Sequence, residues 1–168
     1  MATIDATHGE EEIASGREPI VLQPDEGRRI DLGNFEMSVK ASGDLTAQVF
    51  TLLQATEPPG FGPPMHIHHN AAEAFYVLEG EYIMFIEDRQ YRCPEGSFIY
   101  IPLGMRHGFR VGGVASRKLN LYAPGVMVGY FDQLSAAIAD GVADEERLAG
   151  IAANNGVEVV GPVPEGYL

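Results

Sequence analysis

Short runs of apolar, β-branched and aromatic residues follow one another between Ile20 and about Pro124, separated by Gly, Pro, Asp and Asn. Runs of this kind bounded by turn-forming residues are typical of β-strands. Many short strands in succession without interleaved helices predict an antiparallel sandwich or barrel. The runs are RRIDL, FEMSVKAS, TAQVFTLLQAT, EAFYVLEG, EYIMFIED, GSFIYIP and RKLNLYAP.

Two turn signals predict where hairpins lie. Glu79-Gly80 separates EAFYVL from EYIMFIE, and the segment 93–96, CPEG, leads into SFIYIP. Both contain residues favoured in tight turns. Several of the flanking strands are apolar on both faces, so we expect another part of the molecule to cover their outer face.

The periodicity changes after the last strand. Residues 127–140 carry apolar side chains at helical spacing, and a second such stretch begins with Asp144 as a plausible N-cap and ends at Gly156. These stretches predict two short helices that lie against the barrel or against a second subunit. Their apolar faces carry Phe131, Leu134 and Ile138 in the first helix, and Leu148, Ile151 and Ala152 in the second.

The chain therefore divides into three predicted regions of one domain. Residues 1–18 form a flexible acidic N-terminal arm, 19–126 a β-barrel, and 127–168 the helices and tail packing on that barrel. The strands that are apolar on both faces, together with the acidic arm, lead us to expect a homodimer.

Composition narrows the classes of partner. The net charge is 11 − 24 = −13 with neutral histidines, which repels nucleic acid and anionic membrane surfaces. The lone Cys93 excludes an internal disulfide and a cysteine-rich zinc site. The N-terminal residues have neither the basic nor the apolar segment of a secretion signal, and no stretch approaches the ~20 apolar residues of a membrane span. We therefore expect a cytoplasmic protein.

Two short passages concentrate the histidines. His66 and His68 stand two residues apart, so that in a strand both side chains point to one face, about 6.6 Å apart along the backbone. Glu73 follows at the start of the next apolar run, and His107 comes from a separate turn. Three imidazoles and one carboxylate suit Fe, Mn, Co, Ni or Zn and leave coordination positions open for substrate.

Simpler interpretations remain for some of these residues. Glu73 could be a plain turn carboxylate, which would leave a site of three histidines. His8 and His69 are expected to lie outside the cluster, and His69 points away from His68 by strand alternation.

The same passages resemble the two motifs of the cupin superfamily. Residues 60–80 fit G-x5-H-x-H-x4-E-x6-G, and residues 96–107 fit G-x5-P-x-G-x2-H, while Val111 replaces an Asn that often follows. The resemblance implies a double-stranded β-helix (jelly-roll) barrel with one divalent transition metal inside. Its implied ligands are His66, His68, Glu73 and His107. The short spacer between the motifs, residues 81–95, resembles that of microbial enzyme-like cupins. The helical tail is similar to that of quercetinase-like single-domain cupins.

Strand parity predicts the surroundings of the metal. Phe75 and Val77 are in phase with Glu73, and Tyr100, Met105 and Phe109 lie near His107 in the sequence. This lining is apolar and aromatic, and it lacks the charged groups that a sugar phosphate would require. We therefore expect a small apolar or aromatic organic substrate.

Three functions are compatible with such a site. The first is a quercetinase-like dioxygenase that acts on an aromatic or enolic molecule, with Glu73 as general base. The second is a cyclase or isomerase of polyketide-like substrates that uses the same metal and Glu73 without O₂. The third is a non-catalytic protein that binds a small molecule or a metal.

Overall fold

The computed structural model describes residues 18–165, which form eleven strands and two helices. The predicted arm, residues 1–18, lies almost entirely outside the described residues. The strands are β1 (Arg28–Asp31), β2 (Glu36–Ala41), β3 (Thr51–Glu57), β4 (Met65–His68), β5 (Ala72–Glu79), β6 (Glu81–Ile86), β7 (Arg89–Pro94), β8 (Phe98–Ile101), β9 (His107–Val111), β10 (Ser116–Ala123) and β11 (Val157–Gly161), and the helices are α1 (Val128–Ala139) and α2 (Glu145–Asn154).

The strands form two antiparallel sheets. One has the order β1-β2-β3-β10-β5-β8 and the other the order β11-β4-β9-β6-β7. The predicted all-β antiparallel architecture is therefore confirmed. Sequence neighbours often belong to different sheets, so most of the pairing joins strands that are distant in the chain.

The turn at Glu79-Gly80 illustrates this crossing. β5 pairs with β8 and β10, whereas β6 pairs with β7 and β9. The hairpin predicted between β5 and β6 is wrong, because the turn carries the chain from one sheet to the other. Gly80 has a φ of 76°, and a Cβ there would collide with the Ser116 side chain, so both the backbone angle and the close approach favour glycine.

The interior of the molecule carries polar as well as apolar side chains. β3 alternates regularly, and its buried positions include Leu53 and Ala55. β10 alternates in the opposite sense from the usual pattern, since its polar residues are buried and its leucines are only half-buried. The buried polar residues of β10 are Ser116, Lys118, Asn120 and Tyr122.

Both predicted helices are confirmed. The Asp144 carboxylate accepts a hydrogen bond from the Arg147 amide at 2.8 Å and caps α2. Phe131 of α1 and Ala152 of α2 pack against the strands, in the apolar cluster that includes Leu53. Tyr76 and Tyr100 on the six-stranded sheet stay exposed. Beyond the helices, β11 is a strand of the five-stranded sheet.

An aromatic surface lies on the outer face of the six-stranded sheet. Tyr76 on β5 stands opposite Phe98 on β8, and Tyr100 stands opposite Ala74. Tyr76, Phe98 and Tyr100 are 45%, 67% and 59% exposed. Within residues 18–165, no helix is long and apolar enough to cross a membrane. The predicted cytoplasmic location and homodimer stay predictions.

Candidate metal centre

Four side chains from both sheets meet inside the molecule. His66 and His68 lie on β4 and His107 begins β9 in the five-stranded sheet, while Glu73 lies on β5 in the other sheet. One ligand atom from each residue lies within 4.8 Å of the other three. The structure thus brings together the four residues that the sequence singled out.

Strand pairing positions the three imidazoles. His66 on β4 stands directly opposite His107 on β9, and the alternation of β4 places His68 on the same face as His66. The ring centroids are 4.9 Å apart for His66 and His68, 4.4 Å for His66 and His107, and 5.4 Å for His68 and His107. His68 and His107 are buried, and His66 is partly buried.

Backbone carbonyls fix the orientation of two of the rings. His66 Nδ1 donates a hydrogen bond to the Pro64 carbonyl at 2.7 Å, and His107 Nδ1 donates to the Met105 carbonyl at 2.9 Å. Because a carbonyl can only accept, both Nδ1 atoms carry a proton, which directs Nε2 towards the cluster. Metal-binding histidines are commonly held by such contacts.

Glu73 joins the imidazoles through one of its oxygens. Its Oε2 lies 2.8 Å from His107 Nε2 and 3.2 Å from His68 Nε2. The His107 contact is a hydrogen bond, whereas the His68 contact is close but not aligned as one. Consequently neither ring nitrogen of buried His68 has a hydrogen-bond partner among the described residues.

The pKa values of the cluster depend on one another. Burial, and then the charge of His107, lower the pKa of His66 from 6.5 to about 4. Burial alone would raise the pKa of Glu73, but the His107 hydrogen bond and the close approach of His68 hold it well below 4.5. Burial alone would lower the pKa of His107, but the Glu73 carboxylate outweighs it and raises that pKa above 6.5.

These features fit a divalent transition metal. A buried polar atom without a hydrogen-bond partner lowers the stability of the fold. A metal bound by the four side chains would give one of the unpartnered His68 nitrogens a partner. Imidazole nitrogens and a carboxylate oxygen suit Fe, Mn, Co, Ni and Zn alike. The donor set therefore indicates a divalent metal without selecting among these ions.

Four of the five residues predicted to surround the metal belong to one apolar cluster or pack against it. Phe75, Val77 and Phe109 are buried in one apolar cluster, and partly buried Met105 packs against it. The prediction is wrong for Tyr100, which is 59% exposed because the buried positions of β8 are its neighbours in sequence, Ile99 and Ile101.

Sequence reasoning missed two polar residues beside the cluster. Asn120 Nδ2 donates to Glu73 Oε1 at 3.1 Å and lies 3.3 Å from the Tyr122 hydroxyl. Burial, and then the charge of Glu73, raise the pKa of Tyr122 well above 10.0, so its hydroxyl keeps its proton. The alternation of polar and apolar residues in RKLNLYA was the available signal, but it does not say which set faces inward.

A buried ion pair, also missed, lies in the same interior. Lys118 Nζ is 2.6 Å and 2.5 Å from the two Glu57 oxygens, and the Tyr82 hydroxyl donates to Glu57 Oε2 at 2.8 Å. The ammonium lies 4.2 Å from the Phe109 ring centroid and 5.7 Å from that of Phe75. Burial lowers the pKa of Lys118 despite the opposing charge of Glu57.

The remaining histidines lie outside the cluster or outside the described residues. His69 follows the end of β4 and is on the surface, where its Nε2 is 2.7 Å from Glu158 Oε2. His8 falls outside residues 18–165.

One protein-family model matches the central part of the chain. Residues 53–117 match the model described as "Cupin domain", and this stretch contains all four residues of the cluster. Over this stretch the chain is similar to cupin domains, and the two-sheet topology agrees with that fold.

Two curated relatives match parts of the chain. Quercetin 2,3-dioxygenase of Bacillus subtilis (strain 168) is 26% identical over 123 residues, which cover 73% of this chain and 36% of that protein. The uncharacterized protein MJ1618 of Methanocaldococcus jannaschii is 33% identical over 52 residues, 31% of this chain and 42% of that protein. The chain thus spans less than half of the length of either relative.

Solved structures with the same fold are more distant in sequence. KdgF from Halomonas sp. is 18% identical with a TM-score of 0.55, covering 61% of this chain and 92% of that chain. A predicted oxalate decarboxylase from Thermotoga maritima is 20% identical with a TM-score of 0.55, covering 62% and 98%. At these identities the likeness concerns the fold alone, and it confirms the jelly-roll cupin architecture.

Proposed function

We propose that the chain is a metal-dependent dioxygenase that acts on a small aromatic or enolic molecule. The observation that carries this proposal is the buried cluster of His66, His68, Glu73 and His107, set beside an apolar aromatic interior. The resemblance of 73% of the chain to a quercetin 2,3-dioxygenase favours oxygen chemistry over the other reactions that such a site could support.

The three histidines and Glu73 would hold the metal. When bound, a divalent transition metal supplies Lewis acidity towards an oxygen of the substrate. The backbone carbonyls of Pro64 and Met105 keep the rings of His66 and His107 in place, so the binding groups need little reorganisation. Preorganisation of this kind reduces the entropic cost of binding.

Glu73 is the residue that would accept the proton of the substrate hydroxyl. Its pKa is held well below 4.5 by His107 and His68. The contacts of His107 and His68 with Glu73 require a proton on the imidazole nitrogens that face it. A neutral imidazole that ligates a metal through such a nitrogen cannot donate a hydrogen bond from it, so metal binding replaces these contacts. A carboxylate within reach of a substrate hydroxyl can act as general base.

The aromatic side chains would orient a planar substrate. Phe75 follows Glu73 by two residues on β5, and Phe109 follows His107 by two residues on β9. Their ring centroids are 6.1 Å apart at an interplanar angle of 72°. Both rings lie on the same inner faces as the two ligands. The Lys118 ammonium beside them is already paired with Glu57, which supports an aromatic substrate rather than a phosphorylated one.

Oxygen uptake by the metal-loaded chain tests the proposal. A flavonol such as quercetin should be consumed together with O₂ in equal amounts, and Glu73→Gln should lower kcat by about 10²- to 10⁴-fold. Glu158→Gln, which removes an exposed carboxylate on β11, is the matched control and should keep full activity.

Two results would contradict the dioxygenase. Product formation from an enolic substrate without O₂ would favour the cyclase or isomerase. Ligand affinity that is unchanged by His66→Ala and His68→Ala, without turnover, would favour a non-catalytic binding protein.

A further inference from the structure

Asn120 is a buried amide at the centre of the six-stranded sheet. It lies on β10, where it pairs with Leu53 of β3 and Phe75 of β5, and it is only 3% exposed. A leucine in place of Asn120 would pack equally well against these two apolar cross-strand neighbours. The amide therefore needs an explanation other than packing.

The two oxygens of Glu73 have different partners. Oε2 is the atom near His107 and His68, whereas Oε1 accepts the hydrogen bond from Asn120 Nδ2 at 3.1 Å. The terminal torsion of a glutamate has a broad, nearly two-fold distribution, so a half-turn exchanges the two oxygens at little cost. The carboxylate alone therefore does not determine which oxygen faces the histidines. The Asn120 amide provides the distinction.

The orientation of this amide is determined by its neighbours. Nδ2 has two protons, one directed to Glu73 Oε1 and the other to the Tyr122 hydroxyl oxygen 3.3 Å away. A flipped amide would place its oxygen against the Glu73 carboxylate, and two acceptors would then face each other. In the observed orientation Asn120 Oδ1 has no partner among the described residues, a cost of about 1–3 kcal/mol.

We propose that Asn120 is a positioning residue that keeps Oε1 of Glu73 away from the metal, so that Glu73 presents Oε2 alone. A carboxylate that binds through one oxygen occupies one coordination position instead of two, which leaves more of the metal open to substrate. The inference deepens the proposed function and rests on the metal site formed by His66, His68, Glu73 and His107.

Cobalt(II) is a suitable probe, because its visible absorption reports the number and type of ligands. The full-length chain is titrated with Co²⁺, and the affinity and the spectrum are recorded for the parent, Asn120→Leu and Asn120→Ser. Leucine removes the donor at similar volume, and serine is a smaller substitution that does not reach Glu73. Near-ultraviolet circular dichroism verifies the fold of each variant.

Thr51→Val is the matched control. Thr51 is fully buried on β3 opposite Tyr122, and its hydroxyl has no partner among the described residues. Its replacement therefore removes a buried polar group from the same region without changing a contact of Glu73. We expect this variant to keep the Co²⁺ affinity and spectrum of the parent.

In both Asn120 variants Glu73 is free to bind through both oxygens, so the visible absorption of bound Co²⁺ should lose intensity as the coordination number rises. The Co²⁺ affinity should also change by about 10- to 100-fold, the usual size of the effect of losing a group that holds a metal ligand. Unchanged affinity and spectrum in whichever variant is folded would overturn the role of Asn120. If the parent itself failed to bind Co²⁺, the proposed metal site would fall, and the role of Asn120 with it.

Discussion

The buried pair of Glu57 and Lys118 allows a quantitative test of the interior. Both side chains are only 1% exposed, and the ammonium contacts both carboxylate oxygens at 2.5–2.6 Å. Lys118→Met leaves Glu57 with the Tyr82 hydroxyl as its remaining hydrogen-bond donor in this network. Removing one member of a buried ion pair costs about 3–5 kcal/mol, because the other charge is left uncompensated.

Urea unfolding measures this cost directly. With a slope of about 2 kcal/mol per molar urea, Lys118→Met and Glu57→Gln should each lower the unfolding midpoint by about 2 M. The double variant should lose less than the sum of the two single losses, since it removes both charges together. A coupling energy above about 1 kcal/mol is expected for residues in contact.

An exposed ion pair in the same chain serves as the control. Arg29 and Glu36 lie 3.0 Å apart with side chains that are 70% and 54% exposed, and such pairs contribute about 1 kcal/mol or less. The same pair of substitutions there should leave the midpoint nearly unchanged. Additive effects at Glu57 and Lys118, or single losses below 1 kcal/mol, would refute the argument that the pair is coupled in a water-excluded interior.

Three further predictions concern the site, the fold and the assembly. Metal binding should release protons, because Glu73 raises the pKa of His107 and metal must displace the His107 proton. The metal affinity should therefore rise as the pH rises through the pKa of His107. Calorimetry of Glu73→Gln in buffers of different ionisation enthalpy should detect less proton release. Gly80→Ala should destabilise more than Gly96→Ala, since both have a positive φ but only a Cβ at position 80 meets other atoms, and equal losses in thermal unfolding would contradict the collision. The predicted homodimer would bury the aromatic surface of the outer sheet face, so Phe98→Lys should yield monomers in sedimentation, and an 18 kDa species alone for the parent would contradict the dimer.

The sequence predicted the fold class and the metal cluster for physical reasons. β-branched and aromatic runs between turn residues have few alternatives to strands, and the spacing of His66 and His68 matches the period of a strand. Pairing between strands that are distant in the chain brings Glu73 and His107 close to these histidines. Periodicity does not predict that pairing, whereas the resemblance to a family motif does.

The errors in predicting which residues face inward have one physical cause. Tyr100 is predicted to lie in the interior, but the pairing of β8 with β5 decides which side chains of β8 face inward. In that pairing Tyr100 stands opposite Ala74. β10 reverses the usual pattern, so Lys118 and Asn120 are buried while Leu119 and Leu121 are only half-buried. A period of two defines two faces but does not say which one is buried; that choice depends on partners such as Glu57 and Glu73, which come from other strands.

The proposed function depends on one divalent metal held by His66, His68, Glu73 and His107. Elemental analysis tests this site through the metal-to-protein ratio, measured after reconstitution and removal of excess metal, for the parent, His68→Ala and His69→Ala. About one ion per chain is expected for the parent and for His69→Ala, whose imidazole is on the surface, and a ratio near zero for His68→Ala. Equal ratios in the parent and His68→Ala would contradict it.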